Sequence, residues 1–269
     1  MNWKNYFFYF EKIGSRYFIV AGLAFILFYF LIKNSLGYKK IQNRFPAKAD
    51  YIREILYSVV TISIFALVPL FILQYPPVAA HTFYYTKISE HGWIWFFAAF
   101  PIMFIIHDAY FYFTHRLMHH KTLFRYFHLV HHHSTNPSPW AAYAFHPLEA
   151  LVEAGIFGVF LFIMPIHKLH LLIFFFLMIV YNVYGHLGFE LYPNGFNKHW
   201  FGKWINTSVN HNQHHQFFKG NYGLYFTWWD RLFRTIRSDY DARFNEVTSR
   251  VNEGKRRVAS SKKLVASSK

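Results

Sequence analysis

Long uncharged apolar runs constrain this chain more than any other feature. Residues 55–73 form a run close to the ~20 residues a bilayer needs. Residues 17–32 form a second, broken only by tyrosine and glycine, and residues 92–106 a third that continues into H-D-A-Y-F-Y-F. Residues 151–164 and 171–184 read as a helical hairpin broken at Pro165, with kinks expected at Pro69 and Pro101. Glu153, inside the first hairpin arm, is expected to face the interface or the protein interior. The fold class that follows is all-α: an integral membrane helical bundle with a cytosolic helical cap. No secretory cleavage pattern precedes the first run, which is read as a retained anchor.

The net charge of +15 fits either nucleic acid or a membrane protein with basic cytoplasmic loops. The cations flank the apolar runs and form no nucleic-acid motif, so the membrane reading is preferred and no nucleic-acid partner is expected. Lys33, Lys39, Lys40, Arg44, Lys48 and Arg53 crowd the first link, whereas Lys87 stands alone in the second. The first link is therefore assigned to the cytoplasm, and the third run returns the chain to that side. Lys4, Lys12 and Arg16 conflict with this assignment, since it puts them outside.

Three histidine clusters adjoin these runs: His115 with His119; His128 with His131 and His132; His211 with His214 and His215. Spacings of three and four residues put the members of each cluster on one helix face. Imidazole is the commonest protein ligand for transition metals, and two copies of H-x-x-H-H beside H-x-x-x-H point to a metal centre. The absence of cysteine excludes thiolate zinc sites, iron–sulfur clusters and disulfides. Residues 92–119 as one helix would run about 40 Å and carry Asp108, Tyr112, His115 and His119 on one stripe. Asp108 is a candidate acceptor for a ligand imidazole, or else a partner for a cation or a cap. His146 and Glu149 touch if their stretch is helical. His120 and His133 read as spectators, His107 as satisfied by a neighbour, and His199 has no partner at ligand spacing. His81, His91, His167 and His170 fall on loops at the opposite side.

Over residues 106–235 the chain resembles the fatty acid hydroxylase and sterol desaturase superfamily of membrane oxygenases. The resemblance rests on H-D-A-Y-F-Y-F-T-H-R-L-M-H, F-H-L-V-H-H, A-F-H-P-L-E, G-H-L-G-F-E-L, H-N-Q-H-H-Q-F-F-K-G-N-Y-G and W-W-D-R-L-F-R-T. The stretch P-S-P-W-A-A-Y-A-F-H-P-L-E, with N-Y-G-L-Y-F-T-W-W-D-R, looks most like the sterol C5-desaturase branch. The resemblance implies two irons on the cytosolic face, with zinc as a possible substitute in purified protein. Carried over by position, the ligands are His115, His119, His128, His131, His132, His186, His211, His214 and His215. Asn182 stands where some relatives carry a further histidine, and Asp230 is placed to hold a ligand histidine or to pair with Arg231. Phe233-Arg234-Thr235 replaces the family's F-G-T, so the backbone there is expected to differ.

The activity implied is hydroxylation or desaturation of a lipid C–H bond by O2. The sequence contains neither an H-P-G-G haem motif nor a dinucleotide glycine fingerprint. Electrons are therefore expected from a separate carrier, cytochrome b5 or a ferredoxin with its reductase. The rival is a histidine-rich membrane metal-binding or metal-transport protein, which would place its ligands near the midplane of the spans. Zinc-dependent hydrolysis fits less well, with too many histidines and no carboxylate motif. Residues 1–245 are read as one oxygenase domain and 246–269 as a basic disordered tail. The expected setting is multi-pass, in a bacterial inner membrane or the endoplasmic reticulum.

Overall fold

The computed structural model describes residues 2–251. Five long helices make the body: α1 (Trp3–Phe25, continued by a π-helical turn Ile26–Leu31), α2 (Lys48–Gln74), α3 (Gly92–Met118), α4 (Pro147–Ile163) and α5 (Lys168–Gly185). α1 with its extension, α2, α3 and α5 are each long and apolar enough to cross a membrane. A helix satisfies its backbone polar groups within itself, which an apolar surrounding requires. Among the described residues the only sheet is a two-residue parallel pair, β1 (Tyr84–Tyr85) with β2 (Ile166–His167). The chain is thus an all-α membrane bundle. Pro69 and Pro101 lie inside α2 and α3 without ending them, while Pro165 does separate α4 from α5.

Side-chain contacts fix how the helices run. Asn5 Nδ2 donates to Gln74 Oε1 (2.9 Å) and the Tyr17 hydroxyl meets Ser58 Oγ (2.7 Å), so α1 and α2 are antiparallel. The core between the helices holds Tyr17, Ala21, Ile62, Ala99, Met103, Phe160 and Phe174. Large apolar side chains also face outward, Ile94 at 90% exposure among them, as suits a lipid-facing wall.

The far end of the bundle is clasped rather than loose. Trp95 Nε1 donates to Pro165 O (2.9 Å), His167 Nε2 to Thr86 O (2.9 Å) and His170 Nε2 to Phe96 O (2.8 Å). His167 and His170 are therefore buried, not on the open loops the sequence suggested, because each finds a backbone acceptor within the clasp. His81 and His91 are exposed.

The other end gathers the C-termini of α1, α3 and α5 and the N-termini of α2 and α4. It is capped by residues 119–146 and 186–249, including α6 (Ser208–Phe217), α7 (Trp228–Leu232) and α8 (Tyr240–Ser249). Ile41, Val209, Tyr240, Phe244 and Val247 seal this cap to the first link. α8 continues to Ser249, so the expected boundary at 245 falls inside a helix. Residues 252–269 of the expected tail lie outside the described residues.

Candidate metal centre

The cap carries eight of the nine histidines singled out above and the last turn of α3 carries His115, and together they fall into two groups. His115, His119, His128, His132 and His214 form one; His131, His186, His211 and His215 form the other. Within each group the nitrogens facing one another lie within 4.8 Å. The sorting corrects the one-face reading of each cluster. Residues four apart stay together, as in 115/119, 128/132 and 211/215. The middle histidine of each H-x-x-H-H crosses to the other group: His131 leaves 128/132, and His214 leaves 211/215. Adjacent residues on a helix diverge by about 100°, so the H-H dipeptides 131–132 and 214–215 supply one ring to each group.

The outer ring nitrogens explain why the inner ones converge. His115 Nδ1 donates to Tyr222 O (2.9 Å), His128 Nδ1 to Glu149 Oε1 (2.7 Å), His186 Nδ1 to Asn182 O (2.8 Å), His214 Nδ1 to Gly220 O (2.7 Å) and His215 Nδ1 to Ser134 O (3.0 Å). A carbonyl or carboxylate only accepts, so each of these rings carries its proton on Nδ1 and leaves Nε2 bare. Two pairs of bare nitrogens then face each other, His115 to His128 at 2.9 Å and His215 to His186 at 3.1 Å, while His132 Nε2 lies 3.0 Å from His214 Nε2 and His211 Nε2 3.0 Å from His186 Nε2.

Such a donor set fits transition-metal ions. Bare lone pairs at this separation repel unless a cation lies between them. Nitrogens at about 2.1 Å from a common ion and at right angles would stand about 3.0 Å apart, the spacing seen here. Burial, before the charges of neighbouring rings, holds His128, His131, His132, His211, His214 and His215 well below the ordinary imidazole range. It lowers His186 to about 4 and His119, the one partly exposed member, to about 2. Neutral imidazoles are the ligating form.

The sequence missed several residues that orient these rings. Glu149 was paired with His146; instead His146 caps α4, its Nδ1 accepting from Leu148 N, and Glu149 turns inward to His128. Glu190, buried in the H-L-G-F-E stretch, accepts from Tyr184 Oη (2.8 Å), Tyr192 N (3.0 Å) and Val209 N (3.0 Å). It ties the His186 loop to the first turn of α6. An acidic residue one to four positions from a histidine motif was the available signal for both.

The three carboxylate and amide candidates act differently from expectation. Asp108 touches no histidine; it accepts from Tyr225 N (2.9 Å) and Phe226 N (3.2 Å), pinning that loop against α3. Asp230 neither holds a histidine nor pairs with Arg231. It accepts from Tyr222 N (2.9 Å), Gly223 N (2.7 Å) and Thr235 Oγ1 (2.7 Å), and so fixes the segment whose Tyr222 carbonyl anchors His115. Gly223 is required there, because a Cβ would come within 2.4 Å of Phe226 O. Asn182 Nδ2 donates to Ala142 O (2.8 Å), so its contribution to His186 comes from its backbone carbonyl. His107, His120, His133 and His199 join neither group, and His107 Nδ1 lies 2.9 Å from the Tyr225 hydroxyl. The altered F-G-T shows in the backbone: Arg234 sits at φ 53°, where glycine would be at ease.

An apolar cavity of about 640 Å³ lies beside the two groups. Phe111 and Phe145 line it and place their rings 4.9 Å from His115 and 5.1 Å from His131. Asn182, His107 and Glu153 also face it, which gives Glu153 the interior position expected of it.

Residues 100–235, half the chain, match the fatty acid hydroxylase family. The chain belongs to that family. It is 31% identical over 226 residues to a Delta(7)-sterol 5(6)-desaturase of Gibberella zeae, covering 82% of this chain and 68% of the relative. It is 30% identical over 220 residues to the lathosterol oxidase of Rattus norvegicus, covering 80% and 69%. It is 30% identical over 178 residues to methylsterol monooxygenase 1 of Danio rerio, covering 63% and 58%. These relatives put it on the sterol desaturase branch, and the chain is an oxidoreductase of that type. No solved structure matches it.

Proposed function

We propose that this chain is a membrane di-iron oxygenase that hydroxylates or desaturates a lipid, with its histidine groups on the cytoplasmic face. The observation that carries the reading is the convergence of nine imidazoles, eight of them buried, into two adjoining groups beside an apolar cavity. His115, His119, His128, His132 and His214 would hold one iron; His131, His186, His211 and His215 would hold the other. An iron pair so held supplies the activation of dioxygen that breaks an unactivated C–H bond.

The remaining work belongs to the chain. Tyr222, Glu149, Asn182, Gly220 and Ser134 hold five of the nine rings in one tautomer, which keeps those five receptive to metal without a proton to displace. Phe111, Phe145 and the cavity wall exclude water and admit an apolar chain from the bilayer. Electrons come from a separate acidic carrier, a cytochrome b5 or a ferredoxin with its reductase. The cap suits one: no aspartate or glutamate occurs between Asp108 and Glu149 or between Glu190 and Asp230, while Arg116, Lys121, Arg125, Lys198, Lys203 and Lys219 do.

Replacing His128, His214 or His215 by Ala should abolish turnover and lower the iron content of purified protein. Lipid mass spectrometry of cells with and without the gene separates the two outcomes: a gain of about sixteen mass units for hydroxylation, a loss of about two for desaturation. Retained activity in any of the three variants would refute the ligand set.

A further inference from the structure

The cavity does not stop beside the histidines. It runs along α1, α4 and α5 toward the clasped end of the bundle, where Lys12, Arg16 and Lys168 line it. Lys12 and Arg16 occupy successive turns of α1, and Arg16 Nε donates to Lys12 O (2.9 Å). Arg16 Nη1 donates to Leu172 O (3.5 Å), one turn beyond Lys168 on α5, so the three cations share one mouth. Among the described residues the one carboxylate paired with these cations is Glu11, 3.4 Å from Lys12 and well exposed, a contact worth little in water. Arg16 and Lys168 have no carboxylate partner among the described residues.

Lys12 and Arg16 are two of the three cations that conflict with the positive-inside assignment, and Lys168 lies beside them. They sit at the end opposite the histidines, where such residues are disfavoured. An ionisable group kept at a membrane-embedded cavity against that tendency points to a ligand. Glu153, the acid that lines the cavity, lies on α4 one turn beyond Glu149, which reaches His128. Burial pushes the Glu153 carboxyl up to about 8, so the cations at the mouth are the charged groups of the cavity.

We infer that the mouth formed by Lys12, Arg16 and Lys168 holds the anionic head of a single-chain lipid, a carboxylate or a phosphate, whose tail fills the cavity as far as Asn182. The assignment rests on the oxygenase reading for its purpose and names the substrate class of that site. Arginine with two lysines suits such a head, since a guanidinium binds oxyanions through paired donors. The cationic groups lie at the mouth and the wall beyond them is apolar, lined by Phe65, Phe157 and Met178, so the lipid enters tail first. Lys168 and Asn182 lie about 21 Å apart along α5 at 1.5 Å per residue. The carbons presented to the histidines are then remote from the head, near the distal part of a long chain. The sterols in the relatives' names carry no such head.

The test uses the full chain in phosphatidylcholine nanodiscs, titrated by fluorescence with cis-parinaric acid and with its methyl ester. The acid should bind about tenfold or more tightly than the ester, as for charge-assisted contacts. Combined Lys12→Gln, Arg16→Gln and Lys168→Gln should erase that preference and leave ester binding in place; Lys12→Arg, Arg16→Lys and Lys168→Arg should keep it. Displacement of the acid by oleate or by lysophosphatidate identifies the head as carboxylate or phosphate. Equal binding of acid and ester by the wild type overturns the inference, even if the triple variant fails to fold. So does an unchanged preference in the glutamine variant, displacement by neither anionic lipid, or tighter binding of the neutral sterol dehydroergosterol. Binding needs no turnover, so iron content and activity of the same sample report separately on the oxygenase reading.

Discussion

Removing Glu149 should weaken metal binding while leaving all nine histidines in place. Its Oε1 accepts from His128 Nδ1 at 2.7 Å, and both groups are buried, at 1% and 2% exposure. In Glu149→Ala that buried N–H loses its acceptor, at a cost of about 1–3 kcal/mol. The ring can then flip its proton to Nε2, the nitrogen that faces His115 at 2.9 Å, and metal must displace it. Loss of an outer partner of this kind lowers metal affinity by roughly 10–100-fold, equivalent to about 1.4–2.7 kcal/mol. Glu149→Gln keeps an acceptor oxygen but not the charge, so its loss should fall between wild type and Ala. The assay is chelator competition on purified protein, read at equilibrium. Unchanged affinity in Glu149→Ala, or an affinity for Gln below that for Ala, would refute the claim that this carboxylate sets the tautomer of His128.

Two further outcomes follow from local geometry and titration. Arg234→Gly should raise the melting temperature slightly, since relief of the left-handed backbone at φ 53°, about 1–2 kcal/mol, outweighs glycine's added unfolded-state entropy of about 0.4–1 kcal/mol; a lower melting temperature would show that the arginine side chain contributes more than the backbone costs. Metal-free protein should be most secure above pH 6.5 and lose stability as pH falls toward 4. His186 and His119 are depressed to about 4 and about 2, so the unfolded chain binds protons first. Thermal scans of the metal-free protein from pH 8 to pH 4 check this, and a flat profile would contradict it.

The bundle was legible because its signal is local. Runs such as 55–73 and 92–106 declare themselves by length and lack of charge; α2 starts at Lys48, before the first, and α3 runs on to Met118, past the second. The histidines were legible as a set for the same reason, through repeated spacing. Their division was not, because it depends on where each short helix points: His131 and His132 are neighbours in sequence yet belong to different groups. Partners far apart in the chain were also hidden. Glu149 reaches His128 across a turn of the cap, and Asp108 reaches Tyr225 across 117 residues. His167 and His170 looked like interfacial loop residues because nothing in the sequence announces that Thr86 and Phe96 offer them carbonyls.

Metal stoichiometry tests the two-group arrangement most directly. Protein reconstituted with ferrous iron without oxygen and passed through a desalting column should retain two irons per chain by plasma mass spectrometry, and His131→Ala with His211→Ala should retain one. A wild-type value at or below one, or loss of both ions in that variant, would contradict two separate groups of imidazoles.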